Sequence, residues 1–292
     1  MDWQDEIITL FVQLCDEYKN GLWTLCQRFT NYADLSFRDE EVMTIYMYGT
    51  IEGRTTKKQI YEHAKKYWND LFPKLPSYVA FVQRVNKLGD VFTALVEVLQ
   101  KKFSAAVFAP NKFRVIDSMP IVMAQRGRRF NAKVAPELAD KNGYCATKKM
   151  YYYGIKLHIL GSAQKGKLPV PEMIGITRAG ESDIAAYEII LPDIAEYEKF
   201  ADKAYLSAET AKQKTYTPVK KQKGQEYLDA ADQLYSTAVS RIRQPIESIF
   251  SWIEEKTKIQ IASKVRSHNG LIVHVFGKLA TAMNLLVARF SS

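Results

Sequence analysis

Apolar residues recur at helical spacing through the first hundred positions, and from about residue 110 the pattern changes to alternation. Ile7, Leu10, Phe11 and Leu14 mark one helical face, and Phe92, Leu95, Val96 and Leu99 mark another. Ser36-Phe-Arg-Asp39 ahead of an apolar run reads as a capping-box entry with Asp in place of the usual Glu. Thr55-Thr56 and Pro76-Ser77 announce two further helices. Residues 1–105 are therefore expected to form an all-helical domain. Beyond it, Phe113–Asp117 is a short strand candidate ending at a carboxylate. Met150–Leu160 alternates, with Tyr151, Tyr153, Ile155, Leu157 and Ile159 on one face and Lys156 and His158 on the other. Met173–Thr177 is a third strand, and Ser182-Asp183 caps a helix running to about Leu191. A strand near Phe200–Asp202, a helix near Ser207–Lys212, a strand at Tyr216–Lys220 and long helices from about Thr237 complete the pattern. Residues 106–292 thus predict a mixed α/β sheet with flanking helices.

The charge is unevenly divided. The chain carries a net +9. Residues 1–105 hold 13 basic against 14 acidic side chains, and the remainder holds 28 against 18, so the whole excess lies in the α/β part. A basic surround of that kind suits a polyanionic partner, with nucleic acid foremost. Part of the excess sits between the first two strands, in a basic stretch from Gln125 to Lys149 that holds Arg126, Arg128, Arg129, Lys148 and Lys149. A loop of this length in a compact domain is usually functional, and these cations suit DNA contact. The helical part also carries basic tips at Lys57, Lys58, Arg84 and Lys87. They suit either a helix-turn-helix-like DNA-binding unit or a packing domain with solvated lysines, and the near-neutral charge favours neither.

The acidic start, Met-Asp-Trp-Gln-Asp-Glu, lacks the basic region of a signal peptide. No apolar run approaches the roughly 20 residues of a membrane span. Cys15, Cys26 and Cys145 have no metal-ligand spacing and read as free thiols. A cytoplasmic location with no membrane partner is the expectation.

Three carboxylates stand in distinctive settings: Asp117 in Val-Ile-Asp-Ser, Asp202 in Ala-Asp-Lys-Ala-Tyr, and Glu247 in Arg-Gln-Pro-Ile-Glu-Ser-Ile-Phe. The first two fall at strand ends, where sites gather in open α/β sheets. Glu247 lies on a helical stripe bordering the core face, together with Ser240, Arg243, Ser251, Glu254 and Lys258. Taken singly, each has an ordinary explanation as a turn residue or a helix-surface pair. Taken together, they form the hard-oxygen set that two divalent cations need for phosphoryl transfer, with Mg²⁺ or Mn²⁺ as candidates. Arg243 and Lys156 suit phosphate contact, as does His158, the one histidine placed near a site.

At these residues the chain resembles the DDE transposases of bacterial insertion sequences, in the broad insertion-sequence-4/5 superfamily and most like its insertion-sequence-982 group. The resemblance is carried by Ile-Asp117-Ser-Met-Pro, Gly143 through His158, Gly180-Glu-Ser-Asp183, Ala201-Asp202-Lys-Ala-Tyr205 and Arg243-Gln-Pro-Ile-Glu247. It implies a ribonuclease-H-like core with Asp117, Asp202 and Glu247 as the metal-binding catalytic triad. It also implies cleavage at terminal inverted repeats, followed by joining of the 3′-hydroxyl ends to target DNA. Double-stranded DNA, at least a dimer to pair two ends, and a bacterial nucleoid-associated location follow from the same resemblance. In the Tyr-Arg-Glu-Lys signature of that superfamily, Arg243 and Glu247 match, whereas Ser240 stands at the Tyr position and Glu254 at the Lys position. Lys258, one turn on, is the substitute the stripe offers for DNA contact. Ala204 stands where Gly is common. Two other readings share the chemistry: a nuclease on the same scaffold that cuts without joining, and a non-catalytic DNA-binding regulator.

Overall fold

The structure is a computed structural model of the 292-residue chain and describes residues 2–28, 35–107, 111–164 and 166–291. Contacts divide it into two compact units, one of 1–106 with 253–292 and one of 107–252.

In the first unit, α1 (Trp3–Lys19), α2 (Asp39–Ile51), α3 (Lys57–Tyr67), α4 (Tyr78–Asn86) and α5 (Gly89–Ala106) follow one another. Helix α1 buries Ile7, Leu10 and Leu14, and α5 buries Phe92, Leu95, Val96, Leu99 and Phe103, as the spacing requires. Helix α2 is covered almost all round, with Val42 through Thr50 buried. It begins at Asp39 with Arg38 as its cap, where the Glu41 carboxylate accepts from the Arg38 amide at 2.7 Å, so the cap lies two residues after the expected Ser36.

Asp39 is itself almost fully buried. It accepts from Arg84 Nε at 2.6 Å, from the Arg84 and Arg28 terminal nitrogens, and from the Tyr18 hydroxyl at 3.0 Å. Burial alone would raise its pKa, but the bonds and charges of the two arginines outweigh this and hold it below the ordinary value. Two of the expected basic tips are therefore internal: Arg84 is tied to Asp39, and Lys57 donates to Asn86, with burial lowering its pKa to about 8.

In the second unit, β1 (Phe113–Gln125), β2 (Asn142–Cys145), β3 (Met150–Ser162), β4 (Val170–Arg178), α6 (Asp183–Ile190), β5 (Glu198–Phe200), α7 (Ala208–Lys212), β6 (Thr215–Tyr216) and α8 (Ala230–Thr257) form a mixed α/β arrangement. Antiparallel β3–β1 pairing is followed by parallel β1–β5–β6, while β2 and β4 occupy successive stretches of the other edge of β3. Strand β1 continues eight residues beyond the expected end at Asp117, straight through Pro120. Its pairing with β5 stops at Val115, so that flank is open at Pro120 and the missing N–H is tolerated. Consecutive β1 residues alternate sides. Ile116 packs with Leu160, Tyr187, Leu191, Ile194, Ala201 and Tyr205 beneath α6, whereas Asp117 meets α8.

Two further expectations are corrected. The stretch 125–149 is not one open loop: a short helical turn, Arg126–Phe130, leads to β2, which pairs with β3 through a turn at Ala146–Lys149. The last forty residues were grouped with the sheet, yet they pack with the helical unit. There α9 (His268–Ile272), a π turn (Val273–Gly277) and α10 (Lys278–Ser291) run on from one another. The segment His268–Arg289 is long and apolar enough to cross a membrane by length and composition, although no such run was expected, and 72% of its apolar 18-residue window is buried inside the protein. Local periodicity marks such a helix as buried without saying what buries it.

Candidate active site

The parallel register of β1 and β5 brings two of the carboxylates side by side. Phe113, Arg114 and Val115 pair with Glu198, Lys199 and Phe200. Two residues further along each strand line stand Asp117, inside β1, and Asp202, just past β5, so they lie at the same level and, by parity, on the same face. The third comes from α8. Arg243 donates from Nη1 to Asp117 Oδ2 at 2.7 Å and from Nη2 to Glu247 Oε1 one turn on, so a single guanidinium links the strand carboxylate to the helix carboxylate. Pro245 lies between Arg243 and Glu247 inside the helix and cannot donate to the Arg241 carbonyl.

Asp117 is more enclosed than Glu247, with a side chain 20% exposed against 56%. Burial pushes its pKa up to about 6. Arg243 and the Ser118 amide, which donates to Oδ1 at 2.8 Å, pull it down, and the charges of Asp202 and Glu247 push it further up. Arg243 is thus bonded to two of the three carboxylates, Asp117 and Glu247, while Asp202 lies close enough for its charge to act on Asp117. Beside them an open groove of about 550 Å³ is lined by Asp202, Arg243 and Glu247, together with the cations Lys203, Lys221 and Arg241.

Asp117, Asp202 and Glu247 are therefore gathered, but not at coordination spacing. Among the described residues, no three of His, Cys, Asp and Glu form a ready metal cluster, and the Arg243 guanidinium stands between two of the acids. The donor set nevertheless fits a hard divalent cation. It is all carboxylate oxygen, it is partly buried, and it carries an excess of negative charge.

The residues expected to contact DNA fall into groups. Arg126, Arg128, Lys148 and Lys149 are exposed near the β2 edge, and Arg129 lies over the rings of Phe130 at 4.2 Å and Tyr151 at 5.0 Å. Lys156 is drawn inward: it donates to Asp183 Oδ1 at 2.9 Å and to the Glu181 carbonyl at 2.6 Å. His158 is buried, and its Nε2 pairs with Thr177 Oγ1 at 2.8 Å. Burial lowers its pKa, so it is a neutral internal group rather than a surface cation for phosphate. Lys258 is not on the Arg243 stripe, because α8 ends at Thr257. Lys258 follows with φ +52°, and its carbonyl accepts from Lys278 Nζ at 3.1 Å. Sequence reasoning passed over Lys203 and Arg241, although each lies within two residues of a site residue. Ser118, Asp183 and Tyr205 entered only through the motifs of the resemblance and, for Asp183, a helix cap; their contacts beside Asp117 were not foreseen.

Comparison with known proteins adds one match: the family described as "Transposase DDE domain" fits residues 109–285, more than half the chain. No curated protein and no solved structure matches it. The match encloses all three carboxylates and Arg243, and it agrees with the mixed sheet, its flanking helices and the helical region before them, as in a ribonuclease-H-like transposase domain. This chain belongs to the DDE transposase family.

Proposed function

We propose that the protein is a metal-dependent transposase of the insertion-sequence-4/5 superfamily, nearest its insertion-sequence-982 group. It cleaves DNA at terminal inverted repeats and joins the 3′-hydroxyl ends to a target. One observation carries this reading: Asp117 within β1 and Asp202 just past the adjacent β5 stand at the same level, and Arg243 ties Asp117 to Glu247 of the facing helix. DDE transposases act on DNA and generally use divalent metal ions. Here Asp117, Asp202 and Glu247 would hold them, with two Mg²⁺ ions as the proposal and Mn²⁺ as a substitute. When bound, such ions lower the pKa of the attacking hydroxyl or water and stabilise charge on the leaving oxygen.

The chain's own residues do the rest. The rigid β1–β5 register fixes Asp117 and Asp202, so the acids are placed before substrate arrives. Lys203, Lys221 and Arg241 lie along the groove and suit the phosphodiester backbone leading to the site, while Arg126, Arg128, Arg129, Lys148 and Lys149 extend the basic surface. Arg243 has both a carboxylate-bridging role and the geometry to take a phosphate oxygen once the acids find another counter-charge. Pairing two DNA ends calls for at least two copies of the chain.

The test uses purified protein and DNA carrying inverted repeats with Mg²⁺. The wild type should give nicked and then joined products, and Asp117→Ala neither. Cleavage by Asp117→Ala would remove the triad assignment, and cleavage without joining by the wild type would favour a nuclease. DNA binding with no cleavage on any substrate would favour a regulator.

A further inference from the structure

On the opposite side of β1 from the three acids lies a fourth carboxylate that neither the triad nor the groove uses. Asp183 opens α6, directly after the Ser182 cap. Its Oδ1 accepts two bonds, from Ser118 Oγ at 3.1 Å and from Lys156 Nζ at 2.9 Å. Lys156 also donates to the Glu181 carbonyl at 2.6 Å, so the ammonium ties both ends of the turn that leads into α6. Ser118 is the next residue after Asp117, and its amide donates to Asp117 Oδ1 at 2.8 Å. In the β1–β3 register, Ser118 stands opposite His158 and Pro120 opposite Lys156, which places the serine and the lysine on the α6 face.

The corner is dry. Lys156 and Asp183 side chains are 14% and 19% exposed, and Tyr205, three residues after Asp202, is completely buried there. Its phenol ionises well above the ordinary range, first because of burial and then because the Asp183 and Asp117 carboxylates lie close by. Hydrogen bonds in such a setting are little screened and hold their geometry firmly. Helix capping alone does not require this arrangement, because the Ser182 hydroxyl already accepts from the Ala185 amide. Nor is Asp183 a spare metal ligand, since the Lys156 ammonium is already bonded to it.

We propose that Asp183 is a positioning residue for strand cleavage: by holding Ser118 from the α6 side, it fixes the β1 backbone at the point where the Ser118 amide aims the Asp117 carboxylate. The proposal rests on the metal-dependent reading given above. Asp117 touches the cation in that reading, and Asp183 acts only through Ser118. Partners that orient a metal-binding group typically change metal affinity by 10- to 100-fold when removed.

The test measures Mg²⁺ and Mn²⁺ binding to the full-length protein by calorimetry. Alongside it are measured DNA affinity without metal, the melting temperature, and cleavage rate against Mg²⁺ concentration. Asp183→Ala should weaken Mg²⁺ binding roughly 10-fold and raise the Mg²⁺ needed for cleavage by a similar factor. DNA affinity should stay at the wild-type value. Asp183→Asn keeps an acceptor oxygen and should recover most of the loss, which a purely structural role would not produce at unchanged melting temperature. Ser118→Ala, which removes the link and leaves the Lys156 pair intact, should weaken Mg²⁺ binding several-fold. It decides the matter if Asp183→Ala does not fold. Wild-type Mg²⁺ affinity in both Asp183→Asn and Ser118→Ala, together with wild-type affinity in any folded Asp183→Ala, overturns the proposal. Asp117→Asn separates the two levels of argument. If it abolishes Mg²⁺ binding while the Asp183 and Ser118 variants behave as wild type, only the positioning role is lost. If the wild type binds no Mg²⁺, the metal reading and this proposal fall together.

Discussion

Two buried aspartates, Asp39 in the helical unit and Asp117 in the sheet unit, show how the same pair of residue types serves opposite ends. Asp39 is met by two arginines and a tyrosine hydroxyl, and the arginines carry its pKa below the ordinary value despite burial. Asp117 is met by one arginine that it must share, with two more acids nearby, and its pKa rises to about 6. The first cluster closes with its charge over-compensated by protein. The second has one bonded arginine for two carboxylates, with a third acid nearby, so the acids outnumber the cation bonded to them. A carboxylate–arginine contact is thus uninformative about function by itself; the charge balance around it distinguishes a staple from a site.

Breaking each cluster should therefore give mirror-image results. Asp39→Ala strands two buried guanidiniums and should lose about 3–5 kcal/mol of stability. Asp117→Asn removes a charge the fold does not favour, so denaturant unfolding should show no loss beyond about 1 kcal/mol, the usual limit for changes without a cavity or a stranded charge. Cleavage should respond the other way. Asp117→Asn should lose roughly 100-fold or more, as expected if several kcal/mol of charge stabilisation go with the cation. A folded Asp39→Ala should keep its rate in the cold. Equal destabilisation by both variants would dissolve the contrast.

A subtler test uses pH. Asp117 can hold a cation only when ionised, and its folded pKa of about 6 lies above the ordinary 3.8. As pH falls through 6 the proton competes with the cation, so cleavage should fall along an acid limb centred near that value. Raising Mg²⁺ should move the limb to lower pH. The same shift has the opposite sign for stability without metal. A raised folded pKa contributes stability below 3.8 that is lost as pH rises through 6, whereas the lowered pKa of Asp39 contributes stability above 3.8 that is lost as pH falls. An acid limb unmoved by Mg²⁺ would sink this account of Asp117.

The smallest effect belongs to the surface. Arg126→Ala and Arg128→Ala should each weaken DNA binding a few-fold across unrelated sequences. The slope of log affinity against log salt should fall by about one unit for each lost phosphate contact. No change in slope would mean that this basic edge does not meet DNA.

Much of the site could be read from residues because short apolar runs point to strands, although β1 does not end at Asp117 as expected. Asp117 and Asp202 each follow a short apolar run, and the helical phase of Glu247 placed it beside Arg243. What could not be read were properties of pairing. The run through Pro120 looks like a strand end locally, and only the shortness of β5 explains why the proline is tolerated. Lys156 and His158 alternate onto a face that looks solvent-exposed in isolation, but α6 covers it, and their polar atoms find Asp183 and Thr177. Lys258 keeps the helical phase of Arg243 on paper, but α8 stops one residue earlier. The C-terminal helices announce burial without naming their neighbours.

The level placement of Asp117 in β1 and Asp202 past β5 has a consequence for how the gene can vary. Each acid is separated from its last paired residue, Val115 or Phe200, by a single spacer, Ile116 or Ala201. Those spacers act as a reading frame for the site. One inserted or deleted codon in either would turn its carboxylate to the opposite face of the sheet, whereas chemical change at the spacer keeps the phase. A library of single-codon insertions scored for transposition should therefore be silent at positions 116 and 201, even where conservative replacements such as Ile116→Val remain active.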